Sequence, residues 1–147
     1  MRLTSPEFSD QGRIPQRFTC EGQALSPPFA WSEVPEGSAT LALTCVDPDA
    51  PRGTFVHWVL WGLDPSTGSL SAGEVATAAG QGRNDFGRRG YGGPCPPPGH
   101  GTHRYQFTLY ALRSSITLAD GATIAELHQA MEGSVLAEAL LVGTYER

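Results

Sequence analysis

The sequence predicts a mainly β protein, built as an antiparallel two-sheet sandwich with short C-terminal helices. Three observations support this fold class. Glycine and proline are abundant, with 18 and 12 of the 147 residues, and this favours short strands joined by turns. Several segments have the composition of strands, and helical periodicity is confined to the C-terminal part. The length fits one domain spanning residues 1–147.

Three segments are predicted to be long strands. In "ATLALTCVD", Leu41, Leu43 and Cys45 share one face and the opposite face is also largely apolar, so we expect burial on both sides. Pro48 ends this strand. "TFVHWVLWGL" (54–63) and "HRYQFTLYALR" (103–113) are rich in aromatic and β-branched residues. The long glycine-rich segment between these two strands shows little periodicity, which favours a functional loop.

The C-terminal part is predicted to contain helices. Thr123 and Glu126 have the spacing of a capping box, which predicts a helix start, and apolar residues then follow at helical spacing. Gly133 interrupts this pattern. We expect a second short helix from about Ser134 to Leu140 and a short strand at "LVGTY".

Composition excludes some classes of partner. The formal net charge is −5 and every basic residue is an arginine. Nucleic acids and anionic membranes bind concentrated basic surfaces, so we expect neither as a partner. The sequence has no apolar run long enough to span a membrane and does not begin with a signal-peptide pattern.

The cysteines predict a cytoplasmic protein. Cys20, Cys45 and Cys95 are an odd and sparse set, which is typical of reduced thiols rather than of a disulfide framework. We therefore expect three free thiols, with Cys20 and Cys45 in strands. Cys95 lies in a loop and is expected to react first with a thiol reagent.

Three groups of residues are candidates for chemistry. They are the turn Asp47-Pro48-Asp49, the strand residue His57, and the loop "YGGPCPPPGHGTHRY" with Tyr91, Cys95, His100, His103 and Tyr105. An acidic turn and a core histidine are the structural alternatives for the first two. Histidine and carboxylate could bind a metal, and Cys95 with a histidine base could act as a nucleophile. A small anion site built from imidazoles, a tyrosine hydroxyl and loop N–H groups is the third option.

The motifs "CVDPDAP", "HW" and "GYGGPCPPPGHGTHRYQFTLYAL" together resemble the phosphatidylethanolamine-binding proteins, a family that includes Raf kinase inhibitor protein. The resemblance is greatest to the short bacterial branch. It extends to "CEGQALSPPFAWSEVPEGSATLAL" and "LVGTYER", and thus covers nearly the whole chain. It implies a Greek-key β-sandwich with short C-terminal helices, and a pocket for phosphate-like anions that include a phospholipid headgroup.

The resemblance also implies which residues form that pocket. The matching side chains are Asp47, Asp49, His57, His103 and Tyr105, and the matching loop residues, whose backbone is expected to form the pocket wall, are Gly93, Pro94, Cys95 and Pro96. No cofactor and no metal are implied. Cys95 departs from the pattern, because many relatives have a small residue or a proline there. The C-terminal extension of the eukaryotic members is also missing, so the resemblance by itself does not imply kinase inhibition.

These observations predict a non-enzymatic binding protein for a small anion such as phosphate or a phosphorylated headgroup. A regulator that inhibits a kinase or a protease through its surface is a second hypothesis. A hydrolase that uses Cys95 or a histidine-bound metal is the third. The resemblance also suggests a homodimer.

Overall fold

The computed structural model describes residues 1–75 and 79–147. Among these residues, the strands form two sheets. The smaller sheet has the order β1-β3-β6, with bounds Arg2–Thr4, Phe29–Ser32 and Ser69–Leu70. The larger sheet has the order β2-β9-β8-β4-β5-β7, with bounds Gly12–Arg13, Val135–Tyr145, His103–Leu112, Thr40–Asp47, Phe55–Leu63 and Gly80–Gln81.

The larger sheet has Greek-key connectivity. Strands β4, β5 and β7 lie side by side and antiparallel, and β8 returns to pair with β4 on its other side. This is the spatial order that defines a Greek key. The fold predicted from the sequence is therefore confirmed. One consequence is that β4 lies between β8 and β5, so residues far apart in sequence meet at its end.

The core explains why the three long strands form. Leu41, Leu43 and Cys45 of β4 are buried between the sheets, while Ala42 is buried on the opposite face. The strand is thus covered on both sides, as predicted. On β8, Phe107 and other alternate residues enter the same core, which follows from the two-residue period of a strand.

One α-helix is present among the described residues, and it lies on the outer face of the larger sheet. Helix α1 spans Ile124–Met131, and Thr123 caps it with the reciprocal capping box that the sequence predicts. Leu127 and Met131 are buried beneath it against the outer apolar cluster. No helix within the described residues is long and apolar enough to cross a membrane.

The predicted second helix is wrong. Residues from Ser134 to Leu140 do not form a helix, and the short strand expected at "LVGTY" is the end of the eleven-residue strand β9. Alanine, leucine and glutamate in this segment favour a helix locally, but the antiparallel ladder with β8 runs from Val135 to Tyr145. Pairing along that ladder overrides the weak local preference.

The long segment between β5 and β8 is largely irregular, as expected. It contains the short strands β6 and β7 and a bridge between Arg83 and Arg89. Residues 76–78 of this segment lie outside the described residues.

Candidate functional site

A cavity of about 170 Å³ opens at the end of the sandwich where β4 ends, β5 begins and β8 begins. Four side chains predicted from the sequence line it: Asp47, His57, His103 and Tyr105. They come from three neighbouring strands, and the Greek-key order brings them together. The other lining residues are mostly apolar: Ala50, Pro51, Phe55, Phe86, Cys95, Pro96 and Pro97.

A β-bulge places His57 in the cavity. Opposite β5, Cys45 pairs with Trp58 but the next residue, Val46, pairs with Val56, so His57 is the extra residue of β5. A bulge of this kind redirects a side chain relative to the regular pleat. The His57 side chain is almost fully buried and packs edge-on against the Tyr105 ring.

The hydrogen bond of His57 determines its tautomer. Its Nδ1 lies 2.6 Å from the carbonyl oxygen of Gly92, and a carbonyl only accepts, so Nδ1 carries the proton. Burial lowers the pKa of His57 below its usual value, although the Gly92 carbonyl and nearby carboxylates oppose this shift. The neutral ring therefore has an unprotonated Nε2. None of the described residues hydrogen-bonds that nitrogen.

A chain of hydrogen bonds leads from the cavity floor toward the surface. His103 Nδ1 donates to Asp47 Oδ2 at 2.6 Å, and both side chains are buried. The other ring nitrogen of His103, Nε2, lies 2.6 Å from Nδ1 of the exposed His100. The second carboxylate oxygen of Asp47 accepts from the backbone N–H of Asp49 at 2.8 Å. These contacts fix the Asp47 carboxylate and use both nitrogens of His103.

Asp49 does not line the cavity, contrary to the expectation from the sequence. Its carboxylate points to the other side and forms a two-pronged pair with Arg104, at 2.9 and 2.8 Å. It also accepts from the backbone N–H of Arg104. The Arg104 hydrogen bonds lower the pKa of Asp49 to about 2. The reason is strand alternation, since His103 and Arg104 are adjacent on β8 and point to opposite faces.

The prediction of three free thiols is wrong. Cys20 and Cys95 form a disulfide, while Cys45 is free and buried. Spacing could not reveal this pair, because the two cysteines are 75 residues apart in sequence. A disulfide also removes the loop thiol that was expected to react first, and with it the thiolate that a cysteine nucleophile requires.

The disulfide is one of several contacts that hold the proline- and glycine-rich loop of residues 91–102, called the Pro-Gly loop below. Beside it, the backbone N–H of Cys20 donates to the Pro94 carbonyl at 3.1 Å. The Tyr91 hydroxyl donates to the Phe18 carbonyl at 2.8 Å. At the far end of the loop, Arg147 Nε donates to the Pro96 carbonyl at 2.7 Å. The loop is thus fixed to the segment around Phe18 and Cys20 and to the C-terminal Arg147.

Gly93 and Pro94 support the cavity wall without lining it. A Cβ on Gly93 would lie only 2.9 Å from the Phe18 carbonyl oxygen, so glycine is needed for this close approach. The prolines of this loop have no N–H to offer an anion. The backbone N–H of Gly92 donates to the His57 carbonyl at 2.8 Å.

Two aromatic residues of the site were missed from the sequence. Phe55 and Phe86 pack edge-to-face at 4.8 Å, and both line the cavity beside His57. Phe86 is also one of the more exposed large apolar residues. Phe55 was hidden among other aromatic strand residues, and Phe86 lies in a glycine-rich stretch with no periodicity. No local signal distinguishes either one.

The site shows no arrangement for metal binding. Within residues 1–75 and 79–147, no three His, Cys, Asp or Glu side chains converge as a set of metal ligands. Burial, together with the nearby Asp47 carboxylate, raises the pKa of the Tyr105 hydroxyl, which therefore stays protonated. The floor thus offers one carboxylate, one imidazole nitrogen and one phenol to whatever enters the cavity.

Fold and site together define a β-sandwich protein with a small pocket at one end. Residues 4–146 match the model of the phosphatidylethanolamine-binding protein family. The chain belongs to this family, and the resemblance found in the sequence is confirmed.

Known relatives occur in archaea and in bacteria. The UPF0098 protein of Methanothermobacter thermautotrophicus is 46% identical, and the match covers 100% of this chain and 99% of that protein. The structure of the family homolog CT736 from Chlamydia trachomatis has a TM-score of 0.94 at 39% identity, covering 99% and 97% of the two chains. Escherichia coli YbcL has a TM-score of 0.91 at 33% identity, covering 99% and 98%.

Proposed function

We propose that this protein binds a small phosphate-like anion in the cavity floored by Asp47, His57, His103 and Tyr105, and catalyses no reaction. The observation that carries this proposal is the buried His57 ring, whose Nε2 has no partner among the described residues although its residue lines the cavity. Trp31 Nε1 is the one fully buried side-chain polar atom without a partner among the described residues, so Nε2 of His57 is reachable from the cavity. A bound oxyanion that carries an acid proton would donate to this nitrogen.

The geometry supports binding better than hydrolysis. The cysteine mechanism lacks a thiolate, because Cys95 is in the disulfide. The chain of His100, His103 and Asp47 has the order of a charge relay, but its His103 nitrogens are both occupied within the chain. No serine or threonine lines the cavity floor among the described residues, so the relay has no aliphatic hydroxyl nucleophile to activate.

A matched pair of tyrosine variants tests the proposal. Tyr105 lines the cavity and Tyr110 lies further along the same strand, outside it. We expect methyl phosphate to bind with a dissociation constant in the micromolar-to-millimolar range, roughly 4 to 8 kcal/mol. Tyr105→Phe removes one hydrogen bond to the ligand and should weaken binding about tenfold.

Tyr110→Phe should leave the affinity unchanged, and calorimetric titration measures both variants. Equal weakening by the two substitutions, or no binding of methyl phosphate to the wild-type protein at millimolar concentration, would contradict the proposal.

A cytoplasmic location stays a prediction, and the disulfide bears on it. Disulfides persist in oxidising compartments and are uncommon in most cytosolic proteins. Trapping of free thiols by an alkylating reagent at the moment of cell lysis gives the answer. A cytoplasmic protein should show Cys20 and Cys95 alkylated in cells that keep their thiols reduced, whereas resistance of both to alkylation argues for export.

A further inference from the structure

The polar groups of the cavity floor are nearly all hydrogen-bond acceptors. His57 has its proton on Nδ1, so Nε2 carries a lone pair, and this residue lines the cavity. The Asp47 carboxylate can only accept hydrogen bonds, and it already accepts one from His103 and one from the Asp49 N–H. The Tyr105 hydroxyl is the exception, because it remains protonated and can donate.

His103 cannot compensate for this shortage of donors. Its Nδ1 donates to Asp47, and its Nε2 is engaged with His100 at 2.6 Å. Whichever of the two histidines donates in that second contact, no N–H of His103 is left for the cavity. His103 is therefore a residue that positions Asp47.

The side chains of the walls add no hydrogen-bond donor. Phe55, Phe86 and Pro51 are apolar, and the loop residues Pro96 and Pro97 lack an N–H. The remaining lining residues, Ala50 and Cys95, can offer only their backbone N–H groups. Among the described residues that line the cavity there is no arginine, and the chain has no lysine. The arginine nearest in sequence to His103, Arg104, is paired with Asp49 outside the cavity.

We infer that this pocket selects oxyanions that carry an acid proton, such as a phosphate monoester in its monoanionic form, over anions that carry none. The P–OH of the ligand would donate to Nε2 of His57, and a second oxygen would accept from Tyr105. A fully ionised anion would place lone pairs against the His57 lone pair and the Asp47 carboxylate. Such a contact is repulsive in a poorly hydrated site.

This inference rests on the proposed function and narrows its ligand class. A phosphodiester, which is the form of phosphate in an intact phospholipid, has no acid proton near neutral pH. The inferred preference is therefore for monoester headgroups and free phosphate over the diester.

Methyl phosphate and methyl sulfate provide the most direct test, because the two ligands are similar in shape and their monoanions differ by one proton. The comparison is made near pH 6. We expect methyl phosphate to bind about 10 to 100 times more tightly, the effect of one hydrogen bond involving a charged group. Its affinity should fall about tenfold per pH unit above the second pKa of a phosphate monoester, about 6. Methyl sulfate should bind weakly, and its affinity should not show this tenfold fall per pH unit, because the ligand has no acid proton to lose.

Each outcome has a distinct meaning. Equal affinity of the two ligands would overturn the inference and leave the proposed function standing. Binding of neither ligand would overturn the proposed function itself. Tighter binding of ethylammonium than of methyl phosphate would show that the acceptors serve a cation, and would overturn both.

Two variants sharpen the test. In His57→Gln the side-chain amide can offer an N–H close to the position of Nε2, so the preference for methyl phosphate should fall toward one. Asp49→Asn is the matched control, since Asp49 lies outside the cavity, and it should keep the wild-type preference. Thermal melting shows whether His57→Gln folds. If it does not, the comparison of the two ligands on the wild-type protein still decides. An unchanged preference in a folded His57→Gln would contradict the inference.

Discussion

The two aspartates of the Asp47-Pro48-Asp49 turn are two residues apart and have opposite environments. The Asp47 side chain is 4% exposed and its partner is a histidine. The Asp49 side chain is 28% exposed and its partner is an arginine that is itself 53% exposed. The permanently charged guanidinium thus lies on the outside of the turn, and an imidazole lies on the inside. The difference shows that Asp49 holds this turn at the surface by its ion pair, while Asp47 forms part of the cavity floor.

The largest expected effect on stability comes from breaking the buried pair of Asp47 and His103. Asp47→Ala leaves the buried His103 without its partner, and loss of one member of a buried pair typically costs about 3 to 5 kcal/mol. Asp49→Ala should cost at most about 1 kcal/mol, because exposed pairs contribute little. Chemical denaturation of both variants measures the two free energies of unfolding. Similar losses would mean that the inside and the outside of the turn are energetically alike.

The next effect concerns the wall of the cavity. The Cys20–Cys95 disulfide closes a long loop, and the double variant Cys20→Ser/Cys95→Ser should lose about 2 to 4 kcal/mol of stability. Reducing agent should destabilise the wild-type protein by a similar amount and leave the double variant unchanged. The result that would count against this account is a wild-type protein whose stability does not depend on reducing agent.

The smallest expected effect is the pH dependence of the stability that the pair of Asp49 and Arg104 contributes. Because the pKa of Asp49 is lowered from 3.8 to about 2, its stabilisation is present above about pH 4 and is lost as the pH falls toward 2. Its size should be a few tenths of a kcal/mol, since both partners are partly exposed.

Denaturation of the wild-type protein and of Asp49→Asn across this range provides the check. The difference in stability between the two proteins should vanish near pH 2. A difference that stays constant down to that pH would assign the Asp49 contribution to something other than ionisation.

Much of the fold was predictable, because the long strands carry strong patterns and the capping box of α1 is local. Strand β9 was not, since its ladder with β8 forms between segments distant in sequence and overrides a helical preference. Pairing between distant segments also limited what the sequence could predict about the site. Asp47, His57, His103 and Tyr105 were expected together from family resemblance, but the bulge that redirects His57 depends on pairing with β4.

The errors at the site have a common physical origin. The outward direction of Asp49 and the Cys20–Cys95 bond both depend on where distant segments meet. His100 was noted in the sequence, but its contact with His103 gives it a place in the hydrogen-bond chain that spacing in a glycine-rich loop did not indicate. Local patterns identify which residues are unusual and leave their partners undetermined.

The central claim is that His57 presents an unprotonated Nε2 to the cavity and that an acidic ligand donates to it. Nitrogen NMR of isotope-labelled histidine tests this claim most directly, because it distinguishes a protonated ring nitrogen from an unprotonated one. At neutral pH the His57 signals should show the proton on Nδ1 and none on Nε2, and methyl phosphate should shift the Nε2 signal in the direction of a hydrogen-bonded nitrogen. A proton on Nε2 in the free protein, or an Nε2 signal that does not respond to saturating methyl phosphate, would contradict the account.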